Sequence, residues 1–248
     1  GSDDDFTFVH ALTREAVAGR MAASRLRIMH ARAAAALEGR ADPSVVPRLA
    51  NHYLLAHVLG YHEQALRYAR EAARMAEHSL AYEDAARWSE RAASLAELDL
   101  ANRARLNLSA AANHVRAGDF ARARGMYESI SAIDDPLTRL EAAVGYEDAN
   151  WRPGLANSKA ADLLASALES CGLAADDPRY VRALGSFGRA LAFAGETVRA
   201  RDVSNLAIDH ARRTDDPAVV SHALETSLWH GLTPDMCESQ LERSTELS

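Results

Sequence analysis

Asp134-Asp135-Pro136, Asp176-Asp177-Pro178 and Asp215-Asp216-Pro217 decide how this chain folds; the triplets start 42 and 39 residues apart. Asp is a strong helix N-cap, because its side chain accepts a hydrogen bond from a backbone N–H that has no partner within the helix. Pro suits the first helical position, where no N–H is needed. The same start signal therefore fires about every forty residues, enough for two helices and their turns. A repeat of that length is the sequence mark of a helical solenoid. Such folds present a binding surface more often than an enclosed active site.

Working outward, breakers divide the chain at Gly39 to Pro43, Gly60, Gly118, Asp134 to Pro136, Trp151 to Gly154, Gly172 to Pro178, Gly195, Asp215 to Pro217 and Gly231 to Pro234. Between them we read helices near 10–20, 25–38, 44–58, 62–78, 82–97, 100–116, 119–131, 136–149, 157–171, 178–193, 196–212, 217–230 and 234–246. After the first, they pair into hairpins starting near 25, 62, 100, 136, 178 and 217. The near-constant step supports the repeat independently of the triplets. Val181, Leu184, Phe187/Gly188 and Leu191 recur at helical spacing, which predicts one buried stripe. Gly185-Ser186-Phe187-Gly188 reads as close helix packing, since it lacks the G-x-S-x-G of a nucleophile elbow. Phe6-Thr7-Phe8-Val9 is the nearest thing to a strand pattern.

Direct self-similarity adds to this. Glu63-Gln64-Ala65-Leu66-Arg67-Tyr68 matches Glu83-Asp84-Ala85-Ala86-Arg87-Trp88 at an offset of 20, one helix and one turn. Gly118-Asp119-Phe120-Ala121-Arg122-Ala123-Arg124 echoes Gly195-Glu196-Thr197-Val198-Arg199-Ala200-Arg201. Gly118-Asp119-Phe120, Ala123 and Tyr127, followed by Pro136, resemble the second half of a tetratricopeptide repeat (TPR). The step exceeds the usual length of about 34 residues, and the first-half Trp-Leu-Gly pattern is degenerate. The expected fold is all-α: a TPR-like right-handed α-solenoid of about six helical hairpins preceded by one helix.

The N-terminus carries a second resemblance. Phe6-Thr7-Phe8-Val9-His10-Ala11-Leu12-Thr13-Arg14-Glu15 is followed by a helix with His30, Leu37 and Glu38, then by Leu49-Ala50-Asn51-His52-Tyr53. This order resembles the junction in STAND-class signalling ATPases where the winged-helix part of the ATPase module meets a helical-repeat region. Many of that class are LuxR-family, MalT-like transcriptional regulators; others are fused to nucleotide cyclases. The match covers about the first 56 residues. It implies that 3–23 close the upstream module and that 24–248 form the repeat domain, with Gly1-Ser2 a cloning remnant. It also implies a sensor arm that binds an inducer or regulatory protein and relays that event to the ATPase. The alternatives are a generic TPR scaffold or adaptor for protein–protein interaction, or the regulatory arm of a nucleotide-cyclase-linked ATPase.

Bulk properties narrow the chemistry. The chain is 48% hydrophobic but only 6% aromatic, with a net charge of −7, which argues against a sequence-independent grip on nucleic acid. Cys171 and Cys237 form no C-x-x-C pair and suit a reducing cytosol. No apolar run approaches the roughly 20 residues of a membrane span, so the expected location is cytoplasmic. An uncapped solenoid end can self-associate, so a homo-oligomer is one expected state. No P-loop G-x-x-x-x-G-K-[ST] occurs. His52, His57 and His62 are five residues apart, which turns each away from the last on a helix and argues against a metal site. We expect no catalytic residue, no cofactor and no enzyme activity.

The residues left to carry binding are aromatic and basic. Trp151-Arg152-Pro153-Gly154 sits in the longest inter-helix loop near Tyr146, and Trp229-His230 ends a helix before Pro234. With Arg189, these are the candidate groove or partner contacts, because Trp and Arg are enriched at binding hot spots. The other reading, which the chemistry of a large apolar side chain favours, is that each Trp plugs a gap between hairpins. Seven arginines against three acids between Arg14 and Arg48 could face the ATPase module or form a solvated helix surface.

Overall fold

The computed structural model describes residues 19–40, 42–95, 98–156, 158–229, 242, 244 and 245. Most of the expected helix near 234–246, nearly all of the one near 10–20, the Phe6–Val9 stretch and His230 fall outside them. Among the described residues the protein is all-helical, with no strand and no helix long and apolar enough to cross a membrane. Eleven α-helices lie among the described residues: α1 (Ala23–Glu38), α2 (Val46–Ala56), α3 (His62–His78), α4 (Tyr82–Ala93), α5 (Leu100–Arg116), α6 (Phe120–Ser131), α7 (Pro136–Trp151), α8 (Lys159–Ser170), α9 (Pro178–Phe193), α10 (Thr197–Ala211) and α11 (Pro217–Ser227). The expected 44–58 helix is interrupted: 3-10 turns at Pro43–Val45 and His57–Leu59 flank α2. Two compact units divide at Asp99 and Leu100.

Each triplet works as a cap. Asp135 accepts from the Thr138 N–H at 2.8 Å, Asp177 from Arg179 at 2.9 Å and Asp216 from Ala218 at 2.9 Å, with Pro136, Pro178 and Pro217 opening the helices. The same device appears once more, where Asp42 accepts from the Ser44 N–H at 2.9 Å beside Pro43.

Four of the turns between consecutive helices share one geometry. Gly60, Gly118 and Gly195 have φ of 92°, 83° and 86°, each two residues before the next helix begins. This is the left-handed conformation that glycine adopts without penalty. Leu80 holds the equivalent place between α3 and α4 with φ of 59° and a side chain 70% exposed. The closing bond recurs as well: Ala81 N–H to Ala76 O at 2.8 Å, Asp119 to His114 at 2.9 Å and Glu196 to Leu191 at 2.9 Å.

In the first unit, α1 packs on α2, α2 on α3 and α3 on α4. The small residues of the α3/α4 repeat do the packing: Ala65, Ala69, Ala72, Ala85, Ala86 and Ala92 are all buried. In the second unit, each helix packs on its sequence neighbour, and α5, α7, α9 and α11 also pack on one another in order. Tyr127 and Ala123 are buried in its core, as are Val181, Leu184, Phe187 and Leu191 of the predicted stripe. Close approach depends on glycine here. A Cβ on Gly145 would collide with the Tyr127 ring, one on Gly188 with Ser204 Oγ, and one on Gly185 would lie 2.8 Å from Thr226 Oγ1.

Candidate functional site

Three helices of the second unit end together. Trp151 is the last residue of α7, Phe193 the last of α9, and Trp229 follows α11 by two residues. The Trp229 ring lies 5.2 Å from that of Trp151 and 5.7 Å from that of Phe193, both tilted. Such offset contacts follow from the aromatic quadrupole. The Trp151 indole N–H donates to Asp148 Oδ1 at 3.0 Å, and Arg152 Nε donates to the same oxygen at 3.0 Å. The Arg152 guanidinium lies 5.1 Å from the Trp151 ring centre.

A buried ion pair supports this cluster from below. Arg189 on α9 meets Glu147 on α7 through two parallel bonds, Nε to Oε1 at 2.8 Å and Nη2 to Oε2 at 2.7 Å. The same guanidinium stacks on Trp151 at 4.3 Å. Arg189 is 3% and Glu147 1% exposed, so neither reaches solvent. Burial pushes the Glu147 carboxyl above the ordinary Glu range, and hydrogen bonds from Arg189 and Ser186 draw it partly back. His222 on α11 closes the group. Its Nε2 lies 3.1 Å from the Arg182 carbonyl oxygen and 3.4 Å from Ser186 Oγ. Burial, then the nearby charges of Arg189 and Arg182, lower its pKa to about 4, so it is neutral at pH 7.

The six candidates therefore part company. Trp151, Arg152, Arg189 and Trp229 come together. Trp229 is 44% exposed and Arg152 is exposed, so these two present surface to solvent. Arg189 is consumed by Glu147 and fixes the position of Trp151. Tyr146 is buried in the core, its ring 6.0 Å from the Lys159 ammonium, which pairs with Glu128. His230 lies outside the described residues. Glu147, the centre of the arrangement, was missed by sequence reasoning. The signal was there: Glu147 and Arg189 are 42 residues apart, the spacing of the first two triplets, so they hold the same place in consecutive hairpins. Trp151 and Phe193 are spaced likewise.

The first unit has its own polar knot, in which Glu38 and Tyr53 of the N-terminal motif meet Arg67 and Tyr68. Glu38, at the end of α1, accepts from Tyr53 Oη at 2.6 Å, Tyr68 Oη at 2.8 Å and Arg67 Nη2 at 3.0 Å. The Tyr53 and Tyr68 rings stack at 5.5 Å. The two tyrosine hydroxyls chiefly hold the Glu38 carboxyl below the usual range. His30 and His52 also meet, Nδ1 to Nδ1 at 2.8 Å, so one donates and the other accepts. Burial lowers the pKa of both, which favours the neutral forms this bond needs. His52 thus finds its partner on another helix, not at His57 or His62. No group of three or more metal-ligating side chains occurs among the described residues.

Chemically, the second-unit cluster offers an indole face and an anchored guanidinium to solvent over a rigid, neutralised base. That suits apolar or acidic side chains of a partner. Compared with protein-family models, curated proteins and solved structures, the chain matches none.

Proposed function

We propose that the chain is a binding arm without chemistry of its own. In this reading it is a TPR-like, right-handed α-solenoid and the sensor region of a cytoplasmic, STAND-class signalling ATPase of the LuxR-family, MalT-like type. It takes an inducer or a regulatory protein on the surface that carries Trp229 and Arg152. Binding favours one packing of the arm against the ATPase module and so shifts an on/off equilibrium. The observation that carries the reading is the stacking of α5, α7, α9 and α11, in which Glu147 and Arg189, one repeat apart, meet directly. Contact between equivalent positions of successive hairpins is what a solenoid produces. The N-terminal resemblance adds support, because its separate pieces close on each other through Glu38–Tyr53 and His30–His52.

The test has two parts. The coding sequence before Phe6 is read for a P-loop module, and that module is mixed with the purified arm. The expected outcome is a P-loop within a few hundred residues, a stable complex, and an ATPase rate that changes when the arm is added. A start codon next to Phe6 with no such module would leave the adaptor reading in its place.

A further inference from the structure

An open cleft of about 630 Å³ lies in the first unit, on α2, α3 and α4. Its size falls within the roughly 300–1,000 Å³ of small-molecule sites. Pro47, Met75 and Trp88 supply apolar walls; Asp84, Arg87 and Arg91 supply the charge. Arg87 is already answered by Asp84, one turn earlier on α4. Arg91 is not. Its Nη2 donates to the neutral amide oxygen of Asn51 at 2.9 Å, and its guanidinium lies 4.9 Å from the Trp88 ring centre. No carboxylate among the described residues pairs with it, whereas Arg67, Arg74, Arg152, Arg179 and Arg189 each meet one. Arg91 is nonetheless half-buried, and a guanidinium cannot relieve that by losing its proton. A partly desolvated cation without a counter-charge, set beside an indole in a cleft, is complementary to an anion with an apolar body.

We propose that this cleft binds a small amphiphilic carboxylate, with the apolar body against Met75 and Trp88 and the carboxylate on Arg91. The site lies wholly in the first unit and stands whether or not the arm belongs to an ATPase. The probes are 4-phenylbutyrate, hexanoate and the neutral 4-phenylbutyramide. Binding to the full chain is measured by saturation-transfer NMR and by titrating the Trp88 indole signal in a ¹⁵N spectrum. The acid should bind at least about tenfold more tightly than the amide. Arg91→Met should bring the acid down to the amide's affinity, and Arg91→Lys should retain part of the difference. Should Arg91→Met fail to fold, the acid-to-amide ratio on the unaltered chain still decides. Equal affinity for acid and amide would overturn the proposal. So would no binding at roughly 10 mM probe, or shifts at Trp151 and Trp229 in place of Trp88. The arm reading fails separately, on the absence of an ATPase module.

Discussion

Replacing Glu147 by Gln should be among the most damaging single changes in the second unit, and more damaging than removing its partner. Both side chains of the Glu147–Arg189 pair are almost wholly buried and joined by two bonds of 2.8 and 2.7 Å. Breaking such a pair costs about 3–5 kcal/mol, because one charge is left without its counter-charge in a poor solvent. The two halves differ in how they escape. Arg keeps its proton, so in Glu147→Gln the charge stays buried at full cost. In Arg189→Met the carboxyl, already pushed upward by burial, takes a proton and becomes neutral. That caps the loss at the cost of protonating an ordinary carboxyl, about 3–4 kcal/mol at pH 7, and makes it pH-dependent. A carboxyl with a raised folded pKa stabilises below its unfolded pKa and loses that contribution as pH rises through the folded value, so Arg189→Met should weaken as pH rises above the ordinary Glu range. The double variant Glu147→Leu/Arg189→Met removes both charges at similar volume and should lie within about 1 kcal/mol of the natural sequence. The assay is urea unfolding followed by Trp151 and Trp229 fluorescence in a Trp88→Phe background, which reads the second unit. With a slope of about 2 kcal/mol/M, 3–5 kcal/mol lowers the midpoint by roughly 1.5–2.5 M. A loss under about 1 kcal/mol for Glu147→Gln, or a double variant worse than either single, would refute the reasoning.

Further outcomes follow from individual contacts. Gly188→Ala drives a methyl into Ser204 Oγ and should cost about 1–3 kcal/mol; Ser204→Ala in the same chain should recover most of it, and simple additivity in the cycle would argue against the contact. Leu80→Gly relieves a left-handed residue that is exposed and makes little core, so the first unit should gain roughly 0.5–1 kcal/mol after the flexibility glycine adds to the unfolded chain; an unchanged or lower melting temperature would count against it. His222 is held neutral with a pKa of about 4, below the unfolded value of about 6.5, so its stabilisation is complete above that value and is lost as pH falls towards 4. The second unit should lose about 2 kcal/mol between pH 7.5 and 5, and His222→Asn should flatten that slope in paired urea titrations.

The helices, their starts and their turns were legible in the sequence because each signal is local. Asp135, Asp177 and Asp216 cap helices through N–H groups two or three residues away, and Gly60, Gly118 and Gly195 need only their own φ. The stripe from Val181 to Leu191 follows from the helical period alone. Leu80 escaped because no sequence rule places Leu in a left-handed turn; the α3/α4 repeat imposes it.

The candidate site was legible only in outline. Composition pointed to Trp151, Arg152, Arg189 and Trp229, but not to the division of labour among them. Whether an arginine is a contact or a support depends on what lies opposite, and the partner of Arg189 is 42 residues away. The sequence by itself determined the helices and their forty-residue period, since capping, turn conformation and amphipathic spacing act over a few residues. Only the tertiary structure decided that Glu147 neutralises Arg189, that Glu38 gathers Tyr53, Tyr68 and Arg67, and that Arg91 is left facing a cleft without a counter-charge. The physical reason is that charge, unlike helical propensity, is settled by the dielectric and the partners that packing supplies.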